Sequence, residues 1–251
     1  MSAMAIDTDL ALERALNEAT GDWLAWRALR LSKEPGNDLP PVPDQDGQGG
    51  FAGPSGRISP GATGEALCHL VMLGLDLSGP AVVAADWLQE ARTPAEAWLD
   101  APEDVPGQLD TPAAGRVWAT ASATCGLLSV AREPGPRALD LLRGEADMEG
   151  RFTGGAYPTF AAAGAYWLAE GPKTEIAEWA LRWARESDDD EDWGPWERAS
   201  ALRFWAAADI PPEHATVDRF LESLRAEPTS EGFEDLELTV LTLELISFFE
   251  D

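Results

Sequence analysis

The sequence predicts an all-α protein, an α/α toroid of about five to six helical hairpins, and three observations predict it. Glycine beside a large apolar residue recurs along the chain: GGF ending at Phe51, GQL ending at Leu109, GRF ending at Phe152, DWG around Trp193 and EGF ending at Phe233. An Ala-rich apolar segment follows each of these landmarks, and a second, two-faced segment follows the first four. Nothing reads as a convincing strand. The later landmarks lie roughly 40 residues apart, the period of a stacked pair of helices. The first interval is longer, and its extra residues fall around RTPAEAWLDAPEDVPG (92–107), which reads as loop rather than lid.

In chain order, one helix is expected over about residues 8–32, with Trp23 and Trp26 three apart, packing as an outer or closing helix. EPGNDLPPVPDQDGQGG (34–50) is a Pro/Gly/Asp-rich loop. Five apolar helices follow, at 63–74, 120–131, 160–171, 198–209 and 236–249. They are apolar nearly all round and rich in small residues, so they belong on the inside, covered on both sides. The alternating partners AVVAADWLQEAR, PRALDLLRGEA, TEIAEWALRWARES and TVDRFLESLRAE carry one apolar face each. Trp179 and Trp183, four apart, mark that face in the third. The turns EPGPRA, EGPKTE and ADIPPEH separate the helices. An inner ring of helices inside an outer ring is the toroid, with an open solenoid as the alternative. The chain reads as a single domain over 1–251, with 1–43 as N-terminal helix and loop and 44–251 as repeats.

The composition narrows the function. Forty-five acidic residues against 18 basic ones give a formal charge of −27. Such a surface repels nucleic acid and anionic membranes, which need clustered Lys and Arg. Only Lys33 and Lys173 are lysines, and so lysine-poor and acidic a surface fits either a salt-adapted cytoplasm or simply a GC-rich genome. The N-terminus lacks a basic stretch followed by an apolar one, so no signal peptide is expected. No apolar run reaches the roughly 20 residues of a membrane span. Cys68 and Cys125 read as small buried hydrophobes in a reducing cytosol.

The glycine turn GQGGFAGPSG is not a phosphate loop, because no strand precedes it and no Lys-Ser/Thr follows. Its glycines serve backbone conformation. No nucleophile-elbow motif accompanies His69 or His214, the only histidines. SDDDEDWGPW (187–196) reads as a solvated acidic loop between repeats.

DGQGGFAGPSGRISPGATGEALCHLVMLG resembles the repeat shared by protein prenyltransferase β subunits and squalene–hopene-type terpene cyclases. In that repeat a glycine-rich turn ending in Phe precedes an inner helix that begins near Thr-Ala and ends in Leu-Gly. ERASALRFWAAADIP (197–211) is similar to a later prenyltransferase repeat. The resemblance covers five units from about residue 44 onward and implies an α/α toroid with a central cavity for an isoprenoid chain. It also implies an apolar small molecule as ligand and leaves room for a protein partner, since the β subunits work beside an α subunit. The zinc ligands of that family are replaced: their nearest positions fall on Ala199 and Ala201, and EDLELT (234–239) offers no His. Neither metal nor other cofactor is therefore expected.

Terpene cyclases that begin by protonation carry D-x-D-D at an inner-helix head, and no segment here spells it. The best-placed acids are Asp235 and Glu237, ahead of Thr239, one of which would face inward as the proton donor. Their plainer role is to complement the dipole at a helix N-terminus. Trp118, Tyr157, Trp167 and Trp205 are the candidate pocket aromatics, able to stabilise carbocations with their ring faces or to fill the core, and His69 is placed with them as a ligand-binding candidate. The expected function is a metal-independent terpene cyclase-like enzyme, with a non-catalytic binding or scaffold protein, or a partner subunit, as the alternative.

Overall fold

A computed structural model describes residues 5–33, 38–107, 111–188, 193–226 and 229–250, and across these it is mostly helical. The reading of an all-α protein is correct: eleven α-helices are described, with one two-residue antiparallel pair. They are α1 (Thr8–Glu18), α2 (Asp22–Leu31), α3 (Pro60–Met72), α4 (Gly79–Glu90), α5 (Pro112–Ser129), α6 (Ala138–Arg143), α7 (Ala156–Glu170), α8 (Glu175–Ser187), α9 (Pro195–Ala207), α10 (Ala215–Ala226) and α11 (Leu236–Glu250), with β1 (Phe51–Ala52) and β2 (Ile58–Ser59). None of them is long and apolar enough to cross a membrane. The single helix expected over 8–32 is two, broken at Gly21, whose φ of +86° no helix interior tolerates.

The chain divides into two compact units, and α9 contributes to both. The larger unit, residues 44–192 with 203–211, contains the first three hairpins. Helices α3, α5 and α7 pack in succession, while α4 lies on α3 and α8 on α7. The Ala-rich inner helices α5 and α7 are buried on every face over most of their length, with thirteen consecutive or near-consecutive buried residues in α5 alone. The crossing of α3 and α5 is tight because Gly64 sits on the backbone of Ser122, where a Cβ would collide.

The turns before α3, α7 and α11 share one clamp. The Phe51 N–H donates to the Thr63 hydroxyl (2.8 Å), the Phe152 N–H to Thr159 (2.9 Å), and the Phe233 N–H to Thr239 (2.9 Å). Each threonine in turn donates to the carbonyl four residues back, of Ser59, Gly155 and Asp235 respectively. The turn ahead of the aromatic needs a positive φ at Gly49 (+110°) and Gly150 (+94°), where a Cβ would strike the backbone of α4 at Val83 and of α8 at Trp179. In the second repeat the expected landmark Leu109 lies outside the described residues. Its place is taken by Trp98, whose N–H donates to Thr120 (3.3 Å) after a turn with Glu96 at φ +59°. The segment 92–107 is therefore a repeat turn drawn away from its helix. It is pinned by the fully buried Trp98, whose indole donates to the Leu88 carbonyl (2.8 Å).

The second unit comprises residues 1–43, 193–202 and 212–251. Here α1, α2 and α11 pack together around Ala15, Ala28 and Val240, with Leu24, Leu31 and Leu236 at the margin. Arg14 of α1 donates to the carbonyls of Phe233 and Glu234, tying α1 to the last repeat turn. Trp193 packs edge-on against Phe220 of α10 at 6.1 Å.

Candidate functional site

Three of the four predicted pocket aromatics come together inside the larger unit. Trp118 of α5 meets Tyr157 of α7 at 6.3 Å and Phe204 of α9 at 6.0 Å; Tyr157 meets Phe160 at 6.1 Å, and Phe160 meets Trp205 at 5.8 Å. Most of these contacts are edge to face, the arrangement that places one ring's positive edge on another's negative face. Trp118, Phe160, Phe204 and Trp205 are buried, while Tyr157 in the middle of the row is half-buried. The Trp205 indole donates to the Phe160 carbonyl (3.2 Å). Trp167 is half-buried near the end of α7, and His69 is half-buried in the last turn of α3.

A carboxyl stands beside this row at Trp118, and the sequence reading passed over it. Asp100 follows the anchoring Trp98 and lies between the heads of α3 and α5. Its Oδ2 accepts from the Ser59 hydroxyl (2.7 Å) and from the Gly61 N–H (2.9 Å). Ser59 is itself the N-cap of α3, accepting from the Ala62 N–H (3.0 Å), so the acid is held by the first turn of an inner helix. A Cβ on Gly61 would collide with both the Trp118 Nε1 and the Asp100 Oδ2, which places indole and carboxyl over the same backbone atom. Among the described residues no guanidinium or ammonium hydrogen-bonds to Asp100, and the Arg57 charge acts on it only from farther off, holding the carboxyl down slightly. Burial pushes its carboxyl up to about 7; the Ser59 and Gly61 bonds oppose the rise, and the neighbouring Asp104 adds to it. Near neutral pH such a group passes between acid and carboxylate, as a proton donor must. Asp104, buried in the 3₁₀ turn Pro102–Asp104, accepts from the Ser55 N–H (3.1 Å) and from Arg57 (3.3 Å).

The carboxylates singled out from the sequence, Asp235 and Glu237, belong to the other unit. Asp235 is exposed and caps α11, accepting from the Glu237 N–H (2.9 Å) and the Leu238 N–H (3.4 Å). The Glu237 side chain is ion-paired with Arg27 of α2. Arg27 is fully buried and also makes a two-bond fork with Glu244 of α11, at 2.7 Å on each oxygen. Burial alone would lower the Arg27 pKa, but Glu244 and Glu237 outweigh it and hold the guanidinium above its usual range. Each of these acids thus has a structural partner.

Cys68 and Cys125 are buried free thiols in contact between α3 and α5, and burial raises the Cys68 thiol well above its ordinary value. Such thiols are inert as nucleophiles. Among the described residues no group of three or more His, Cys, Asp or Glu is placed to hold a metal ion. Of the acidic loop, Asp188 is buried at the end of α8, and residues 189–192 lie outside the described residues. Comparison with protein-family models gives no match, and a search of curated proteins gives none.

The position of Asp100 had one legible trace in the sequence. It lies in the insertion that lengthens the first interval, two residues beyond a tryptophan that breaks the loop's polar character. Its burial depends on contacts with Ser59 and Gly61, about forty residues earlier, which no local pattern reveals.

Proposed function

We propose that this chain is a metal-independent, isoprenoid-handling protein of the terpene cyclase-like kind, that its hairpins close into an α/α toroid, and that Asp100 is its proton donor. The repeated Phe-to-Thr clamp and the alternation of buried and two-faced helices support the architecture. The observation that carries the chemistry is a carboxyl with a pKa of about 7 and no cationic hydrogen-bond partner, beside Trp118 at the head of an inner helix. In this reading Asp100 gives its proton to an alkene carbon, whose π pair becomes the new C–H bond. The cation left on the neighbouring carbon is stabilised by aromatic faces. Loss of a proton from the rearranged cation closes the cycle and restores the acid. Free buried cysteines and the acidic surface accord with a cytoplasmic setting.

Incubation with C15–C30 isoprenoids, followed by gas chromatography and mass spectrometry, tests this. Asp100→Asn is expected to lower product formation by about 10²–10⁴-fold, whereas Asp235→Asn and Glu237→Gln leave it unchanged. Full turnover by Asp100→Asn would remove the acid assignment. A second reading, a binding or scaffold protein without turnover, is favoured by the ring row itself, whose members pack on one another. It predicts no product from any chain length with the unaltered protein.

A further inference from the structure

The first and third hairpin turns share one backbone and differ in one side chain. In both, the residue six before the aromatic bridges to it, Gln45 to Phe51 and Ala146 to Phe152. In both, an aspartate N–H donates to the carbonyl four residues on, Asp46 to Gly50 (2.8 Å) and Asp147 to Arg151 (2.9 Å). The glycine N–H donates back, Gly49 to Asp46 and Gly150 to Asp147, at 3.2 Å each. In the first turn the Gln45 amide joins turn to helix: its Nε2 donates to the Gly49 carbonyl (3.2 Å) and to the Pro80 carbonyl in α4 (2.9 Å). Gly49 packs on the α4 backbone at Val83 and Gly150 on the α8 backbone at Trp179, so Pro80 matches Ile176, each three residues earlier. The carbonyls of Gly150 and Ile176 thus stand where those of Gly49 and Pro80 do, and Ala146 has nothing to donate to them.

At this place the third hairpin has a cavity of about 620 Å³, lined by Ala146, Gly150, Ile176 and Trp179 among others. Gly150 is buried, and among the described residues nothing donates to its carbonyl. Buried carbonyls are nearly always paired with protein or with a bound molecule, so this one calls for a donor. The Ile176 carbonyl, inside a helix, keeps a second lone pair. The charged lining settles which donor suits. Carboxylates of Asp147, Glu170 and Glu175 stand against two cations, Arg143 and Lys173, and Arg143 is ion-paired with Glu170. An anion would meet acceptors and carboxylates. A primary ammonium brings three donors, enough for both carbonyls and a carboxylate. The Trp179 ring, 37% exposed, and Phe152 give the lining an aromatic part for the stem of such a molecule, and a cation is drawn to ring faces.

We propose that the cavity under the third hairpin turn binds a small arylalkyl amine, its ammonium group taking the place that the Gln45 amide fills in the first hairpin. The site shares no residue with the one around Asp100 and does not rest on the isoprenoid reading. Its test is calorimetry on the intact protein near neutral pH, with phenethylammonium, 2-phenylethanol and 3-phenylpropionate as probes. The amine is expected to bind about tenfold tighter than the alcohol, the contribution of charge-assisted hydrogen bonds, and the carboxylate more weakly than either. Ala146→Gln rebuilds the first turn's arrangement; it should melt no lower than the unaltered protein and lose the amine. In the unaltered protein the N–H resonances of Arg151 and Ala177, whose peptide bonds carry the Gly150 and Ile176 carbonyls, should shift with the amine and not with the alcohol. That readout stands even if the variant fails to fold. Nα-acetyl-lysine methylamide offers the same ammonium on the stem of a protein side chain and is expected to bind more weakly than phenethylammonium; the reverse order would overturn the small-molecule assignment. No binding of the amine, equal affinity for amine and alcohol, shifts confined to other residues, or amine binding that survives Ala146→Gln would each overturn the site.

Discussion

The two compact units place charge inside helical packing in opposite ways. In the smaller unit Arg27 is enclosed between α2 and α11, and both flanking glutamates, Glu244 and Glu237, are bound to it. In the larger unit Asp100 is half-buried, and among the described residues its hydrogen bonds come from a hydroxyl and a backbone N–H, with no guanidinium in contact. A buried carboxylate with a guanidinium at hydrogen-bond distance stays ionised, because the mutual attraction offsets the lost hydration. One without such a partner lowers its cost by taking up a proton. The first arrangement is a strut, and the second is a titratable group placed beside the Trp118 indole. Acidic residues are abundant on this chain; what separates a structural acid from a chemically available one here is the partner.

The comparison can be broken most forcefully at Arg27. Arg27→Met strands Glu244 without its cation and is expected to destabilise the fold by about 3–5 kcal/mol. Denaturant unfolding followed by circular dichroism measures it. Adding Glu244→Leu should restore most of the loss, and a double variant no better than the single would mean the pair is not the strut described.

The next effect is smaller and belongs to Asp100. Its folded-state pKa is raised above that of an unfolded aspartate, so the native state holds the extra proton between the two values. The associated stability is fully present below about pH 4 and is lost as pH rises through about 7. Allowing for its partial exposure, the change is on the order of 2 kcal/mol. Thermal unfolding from pH 5 to pH 8 should show this decline in the unaltered protein and a flatter profile in Asp100→Asn. Parallel profiles would show that Asp100 is ionised throughout.

The smallest effect sharpens the contrast on the other side. Asp235→Ala removes the cap from the first turn of α11 and should cost about 1 kcal/mol, a shift of a few degrees in the melting temperature. A much larger loss would give Asp235 a role beyond the cap.

The helices were legible because their signals are local. The apolar runs of α3, α7, α9 and α11 and the amphipathic faces of α4, α8 and α10 stand in the chain within a residue or a few of where they fold. The break at Gly21 was not read, because the apolar pattern continues across it. The bond from Trp98 to Thr120 was not read, since Trp98 lies fourteen residues ahead of α5 and the bond is long-range; the landmark Leu109 lies outside the described residues. Trp118, Tyr157 and Trp205 could be named as aromatics in or beside the apolar segments, but that they share one row of rings is a matter of tertiary contact. Spacing led to the helix head at Asp235 and Glu237, whose neighbours in space, Arg27 above all, come from the other end of the chain, and no spacing along the chain marked Asp100.

By itself the sequence determined a repeated helical hairpin, an acidic lysine-poor surface and a row of inner aromatics, since period, composition and residue type are properties of neighbours along the chain. The tertiary structure alone decided which carboxyl is paired and which is left to hold a proton. Ionisation depends on burial and on charges within a few ångströms, and for Asp100 those neighbours, Ser59, Gly61 and Trp118, lie on two different helices that only folding brings together.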